Sequence, residues 1–79
     1  MPRRRVVEQR RVAQLGILIR SARDKQGLSQ EELARLAGVG TATLRRIERG
    51  EGAGPNVFVV LRIFEELDIH VKELMTVRI

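Results

Sequence analysis

Apolar residues recur at helical spacing along most of this chain, and glycines stand where the spacing breaks. Val12, Leu15, Ile19 and Ala22 follow at three- and four-residue steps, which places them on one face of a helix that becomes regular from about Val6. Gly27 supplies its C-terminal stop. Gly16 inside the segment costs roughly 1 kcal/mol against alanine, so a straight single helix is disfavoured there. Ser29-Gln30-Glu31-Glu32 has the capping-box form, in which the Ser29 hydroxyl accepts from the third helical N–H and Glu32 reaches back to the cap. A second helix starts here, with Leu33, Leu36 and Ala37 as its apolar stripe and Gly38 as a left-handed end. Only Val39 and Gly40 separate it from a third, TATLRRIERG (41–50), so the two must cross at a large angle with their backbones close near Ala34. In the third helix Leu44, Ile47 and Glu48 share one side, and Ala42, Arg45, Arg46 and Arg49 the other.

After the loop EGAGP, Asn56 can cap a fourth helix running to about Leu67. Its residues Val57, Phe58, Val59, Val60, Leu61, Ile63 and Phe64 cover nearly the whole circumference, more than so short a chain can bury by itself, so some of that surface is expected to meet another subunit. Residues 69–75 predict a short fifth helix, and 75–79 alternate as a short half-buried strand would. The first few residues, arginine-rich and without apolar partners, are expected to be disordered alone. The resulting division is a basic arm (1–8), one domain (9–75) and a tail (76–79).

The length of 79 residues suits one domain, and the absence of cysteine excludes disulfides, thiolate chemistry and cysteine-ligated zinc. No apolar run approaches the roughly 20 residues of a membrane span, and the arginine-rich start lacks a following apolar signal region. A soluble, unexported, cytoplasmic protein without membrane contact is expected. Charge sharpens this: the net +5 divides into +6 over residues 1–27, +1 over 28–50 and −2 over 51–79. A field so concentrated suggests a polyanionic partner. Catalysis finds no support, because Glu65, Glu66 and Asp68 have no paired base, nucleophile or ligand set. His70 stands alone as a metal ligand, and GEGAG (50–54) follows a helix and lacks both the lysine and the strand of a phosphate-binding loop. No metal or cofactor is expected.

LSQEELARLAGVGTATLRRIERG resembles the core of the Xre/Cro-type, phage-repressor-like helix-turn-helix family, usually close to LSQEELAxxAGVSxxTLxxIERG. The resemblance extends over residues 15 to about 75 and implies an all-α, five-helix lambda-repressor-like domain that binds double-stranded DNA, mostly as a dimer. It makes 29–37 the positioning helix and 41–50 the recognition helix. Gln30 then lies against the DNA backbone, while Thr41, Ala42, Arg45 and Arg46 face the major groove, where arginine can bond guanine O6 and N7 and a small alanine can approach a thymine methyl. Thr43 and Arg49 are assigned to phosphate. Glu48 is implied to form a structural ion pair with Arg23, and His70 to have a structural role at the start of the fifth helix.

Departures from the family pattern carry information too. Gly40 replaces the usual serine or threonine cap, so either Gly40 or Thr41 caps the recognition helix. The loop after it lacks basic residues, and Arg3, Arg4 and Arg5 are candidates to compensate by following the backbone or entering the minor groove. Ile17, Leu18, Phe58 and Val59 stand where relatives are commonly polar; with Val77 and Ile79 of the tail they are candidate subunit or partner contacts. The expected function is a sequence-specific transcriptional regulator, a repressor, bound to a palindromic operator as a homodimer. The competing expectations are an antitoxin-type protein whose partner is a toxin or another regulator, and an adaptor that never touches DNA.

Overall fold

A computed structural model describes residues 2–52 and 54–75, with side chains described from residue 9 onward. Five helices follow in order: α1 (Pro2–Lys25), α2 (Gln30–Ala37), α3 (Thr41–Glu48), α4 (Val57–Leu67) and α5 (Val71–Met75). Among the described residues there is no strand; Met75, assigned from sequence to the start of one, ends α5, and 76–79 lie outside the described residues. No described helix is long and apolar enough to cross a membrane.

The first turns of α1 correct the expectation of a disordered arm. Pro2 suits a first helical position because its missing N–H is unpaired there anyway, and the arginines, glutamate and glutamine that follow are good helix formers. Lacking an apolar face, this part is helical on propensity and continuity with the packed half. That half contributes Leu15 and Ile19 to a core shared with Leu33, Ala34 and Ala37 of α2, Leu44 and Ile47 of α3, and Ile63, Phe64 and Leu67 of α4. Ile69 closes it from the last turn region. Leu36, placed on the α2 stripe by spacing, lies instead at its exposed edge. Arg11 lies one turn before Leu15, and its Nη1 is buried without a hydrogen-bond partner among the described residues.

Gly16 does not interrupt α1. It is buried where α1 crosses α3, and a Cβ there would collide with the Ile47 carbonyl oxygen and come within 2.8 Å of that of Glu48. The glycine cost is thus outweighed by close backbone approach. One helical turn earlier, Ala13 lies against Gly50: a Cβ at Gly50 would be 3.0 Å from the Ala13 Cα. These two contacts fix the depth at which α1 sits on the end of α3.

The turns share one hydrogen-bond pattern. After α2, Gly38 donates to Arg35 O (3.2 Å) and Val39 to Ala34 O (2.9 Å), with Gly38 left-handed at φ 69°. After α4 the same pair of bonds forms around Asp68, which takes a left-handed φ of 57° without being glycine. Gly16→Ala is expected to lose about 1–3 kcal/mol in urea unfolding despite alanine's better helix propensity, because the obstacle is backbone and cannot turn aside. A neutral or stabilising result would refute the crossing as the reason for glycine.

Candidate nucleic-acid interface

The third helix divides into three stripes. Leu44 and Ile47 are buried; Thr41, Arg45 and Glu48 are half-buried; Ala42, Arg46 and Arg49 are exposed, as is Thr43. Residues three and four apart share a face of a helix, so the half-buried set forms one line and the exposed set another.

The half-buried line carries a chain of polar contacts. Arg23 of α1 binds Glu48 in a two-point grip, Nε to Oε2 at 2.7 Å and Nη2 to Oε1 at 2.9 Å, and its Nη1 donates to Leu28 O at 2.8 Å. Side-chain exposure is 11% for Arg23 and 3% for Glu48, so water screens this pair little. The hydrogen bond to Glu48 holds the guanidinium pKa above its ordinary value, against the desolvation that burial imposes and with smaller help from the carboxylate's charge. Gln30 Nε2 donates to Glu48 Oε1 at 3.0 Å, while Gln30 Oε1 accepts from Arg45 Nε at 3.3 Å. Arg45 also reaches Glu31, Nη2 to Oε2 at 3.0 Å.

The three recognition-helix arginines are therefore not equivalent. Arg45 is tied towards α2, and Arg49 pairs with Glu51 at 3.3 Å. The Arg46 side chain makes no hydrogen bond or ion pair among the described residues; it lines a cleft with Thr43, Glu51, Gly52 and Pro55. Gln30, expected on the DNA backbone, has its amide engaged inside the protein at both ends. Spacing could not reveal this, since the partners lie 18 and 15 residues away.

Gly40 is the cap residue of α3, in extended conformation and without a side-chain cap bond, and Thr41 is the first helical residue. The caps of α2 and α4 are both built from side chains: Ser29 with Glu32, and Asn56 Oδ1 accepting from Phe58 N at 2.7 Å. The Ser29 backbone N–H and hydroxyl hold the Glu32 carboxyl below its ordinary pKa. At α5 the His70 backbone N–H donates to Glu73 Oε2 at 2.8 Å.

Arg3, Arg4 and Arg5 stand on the first turns of α1, not on an extended arm. Of the candidate contact residues, Ile17 and Phe58 are 56% and 67% exposed. Leu18 and Val59 are half-buried and spend part of their surface on the core. Val77 and Ile79 lie outside the described residues.

Removing one member of a buried ion pair strands the other. Arg23→Met is expected to cost about 3–5 kcal/mol in chemical unfolding by leaving the Glu48 carboxylate without its cation. A loss below about 1 kcal/mol would mean the pair does not hold α1 to α3.

The family model for helix-turn-helix domains, HTH_3, matches residues 19–74, well over half of the chain. No match is found among curated proteins. The matched span takes in the end of α1 from Ile19 onward, the α2–α3 pair with its Arg23–Glu48 joint, and α4 with nearly all of α5. Its five helices have the lambda-repressor-like arrangement, and the chain belongs to the Xre/Cro-type helix-turn-helix family, whose domain implies DNA binding.

Proposed function

We propose that this protein is a transcriptional repressor that binds a near-palindromic operator as a homodimer in the cytoplasm, at the nucleoid. The observation that carries the reading is the exposed line Ala42, Arg46 and Arg49 beside Thr43, with Arg46 unpartnered among the described residues. An unengaged guanidinium beside a small residue suits a guanine edge next to a thymine methyl. Arg45 and Thr41 reach the groove from the inner side of the same helix, and Thr43 and Arg49 meet phosphate. The helical start of α1 replaces a flexible minor-groove arm with a basic rod, on which Arg3, Arg4 and Arg5 follow the backbone outside the groove. Two recognition helices placed roughly 34 Å apart read half-sites one turn from each other, and a dimer seated there excludes other proteins from the same DNA.

Selection of bound duplexes from random DNA is expected to yield an approximate palindrome with that spacing. On the selected site, Arg46→Ala is expected to lose about 1–3 kcal/mol of discrimination at one base pair per half-site, whereas Arg49→Ala weakens all sequences alike. Equal losses on selected and random DNA would remove Arg46 from base reading.

The exposed Ile17 and Phe58 support self-association, and they also favour a second reading in which the surface belongs to a partner protein such as a toxin. Sedimentation separates the two. A tight dimer that Phe58→Asp converts to monomer supports the homodimer; a wild-type protein that is monomeric, or aggregates, points to a missing partner. Absence of salt-dependent DNA binding would instead indicate an adaptor.

A further inference from the structure

We propose that Glu31 is a specificity-determining residue: it holds Arg45 against α2 on random DNA and yields it only where the major groove offers an acceptor pair. The proposal rests on the DNA-binding reading and goes beyond it, because the residue that enforces selectivity is an acid rather than a base-contacting cation.

Arg45 is held by two weak acceptors, its Nη2 by Glu31 Oε2 at 3.0 Å and its Nε by Gln30 Oε1 at 3.3 Å. Glu31 lies in the first turn of α2, where a carboxylate is favoured by the helix dipole whether or not an arginine is present. The acceptor is therefore already in place before DNA arrives. The arginine side chain is 44% exposed and the carboxylate 66%, so water screens the pair, and exchanging it shifts an equilibrium by no more than roughly fivefold. Such a contact yields readily to a stronger one.

The contact still matters, because random and specific binding draw on different terms. Affinity for random duplex comes from arginines that neutralise phosphates and release counterions. An arginine already paired with Glu31 adds nothing to that total. At a guanine, O6 and N7 present two coplanar acceptors to one guanidinium and replace both intramolecular bonds together. Arg45 thus leaves Glu31 for a base edge and stays with it opposite a lone phosphate. The neighbouring Glu32 provides an internal comparison, since it has the same charge and its carboxylate, among the described residues, is bonded to Ser29: its Oε1 accepts from Ser29 N at 2.8 Å, and the Glu32 N–H donates to Ser29 Oγ at 3.0 Å. Glutamine at position 32 preserves this cap while removing the charge.

The test compares wild type, Glu31→Gln, Glu32→Gln, Arg45→Ala and the Glu31→Gln/Arg45→Ala double variant, measuring affinity for the selected duplex and for random duplex across a salt series. Glu31→Gln is expected to tighten random binding roughly two- to fivefold at low salt. It also steepens the random-DNA slope of log affinity against log salt by about 0.9, one further phosphate contact, and leaves the selected-site slope unchanged. Selectivity therefore falls. Glu32→Gln shifts both duplexes in parallel, and the double variant differs from Arg45→Ala only by that same parallel shift, with no change of slope. Parallel slopes in Glu31→Gln, or equal behaviour of the two glutamine variants, overturn the assignment while DNA reading stands. If wild type selects no sequence, the DNA-reading proposal fails first and this one with it.

Discussion

One guanidinium holds the ends of three helices. Arg23 lies in the last turns of α1, binds Glu48 at the end of α3, and captures the Leu28 carbonyl in the turn that leads to α2. Gln30, the first residue of α2, completes the joint through the same carboxylate. Burial makes this contact consequential: an exposed pair would be worth little, but two enclosed charges must stay paired or incur a desolvation penalty. The geometry of α2 relative to α3, on which any groove-reading helix depends, is thus set by a polar contact at the edge of an apolar core. The core itself is non-directional and does not specify such an angle.

Gly16 and Gly50 make that joint reachable. Bringing α1 close enough for Arg23 to grip Glu48 in two-point fashion requires the two backbones nearly to touch earlier in α1, at Gly16 and Ala13, and both glycines sit at that contact. In sequence Gly16 reads as a defect in a helix, because propensity is a local quantity while the benefit of a missing Cβ is tertiary. Position 16 shows how much of the fold was legible. The helices, their stops and the side-chain caps followed from spacing and short-range hydrogen bonding, whereas the reason for a glycine inside α1 needed the partner helix.

The candidate site divides along the same line. Its location in α2 and α3 was readable from the motif, and the inward turn of Glu48 came with the resemblance. What sequence could not assign was the state of each arginine. Arg45, Arg46 and Arg49 look alike in TATLRRIERG, yet one is tied to residues 14 and 15 positions earlier, one to a loop acid two positions later, and one is unengaged among the described residues. Gln30 was ambiguous for the same reason: its polar amide suits phosphate and also suits the bridge it makes between Glu48 and Arg45, and spacing alone does not reveal the bridge. The N-terminal arginines were misjudged in the opposite direction. A lack of apolar partners argued for disorder, but an established helix extends at small cost once its nucleus is held by packing.

The helix ends supply a last contrast. Following α1, α2 and α4, the residue whose N–H closes the turn is Leu28, Val39 or Ile69, each donating back to the carbonyl five positions earlier and each packed into or against the core. Following α3 the same bond, Glu51 N to Arg46 O at 3.1 Å, is made by an exposed acid. The apolar plug that commonly accompanies this turn is absent, so the end of α3 is fastened from the other side, by Ala13 against Gly50 and by Arg23 on Glu48. Without the plug, the exposed side chains at this turn include Arg46, Arg49 and Glu51. A helix that must present charge at its end while staying fixed in the domain has to be held from behind, and α1 does this.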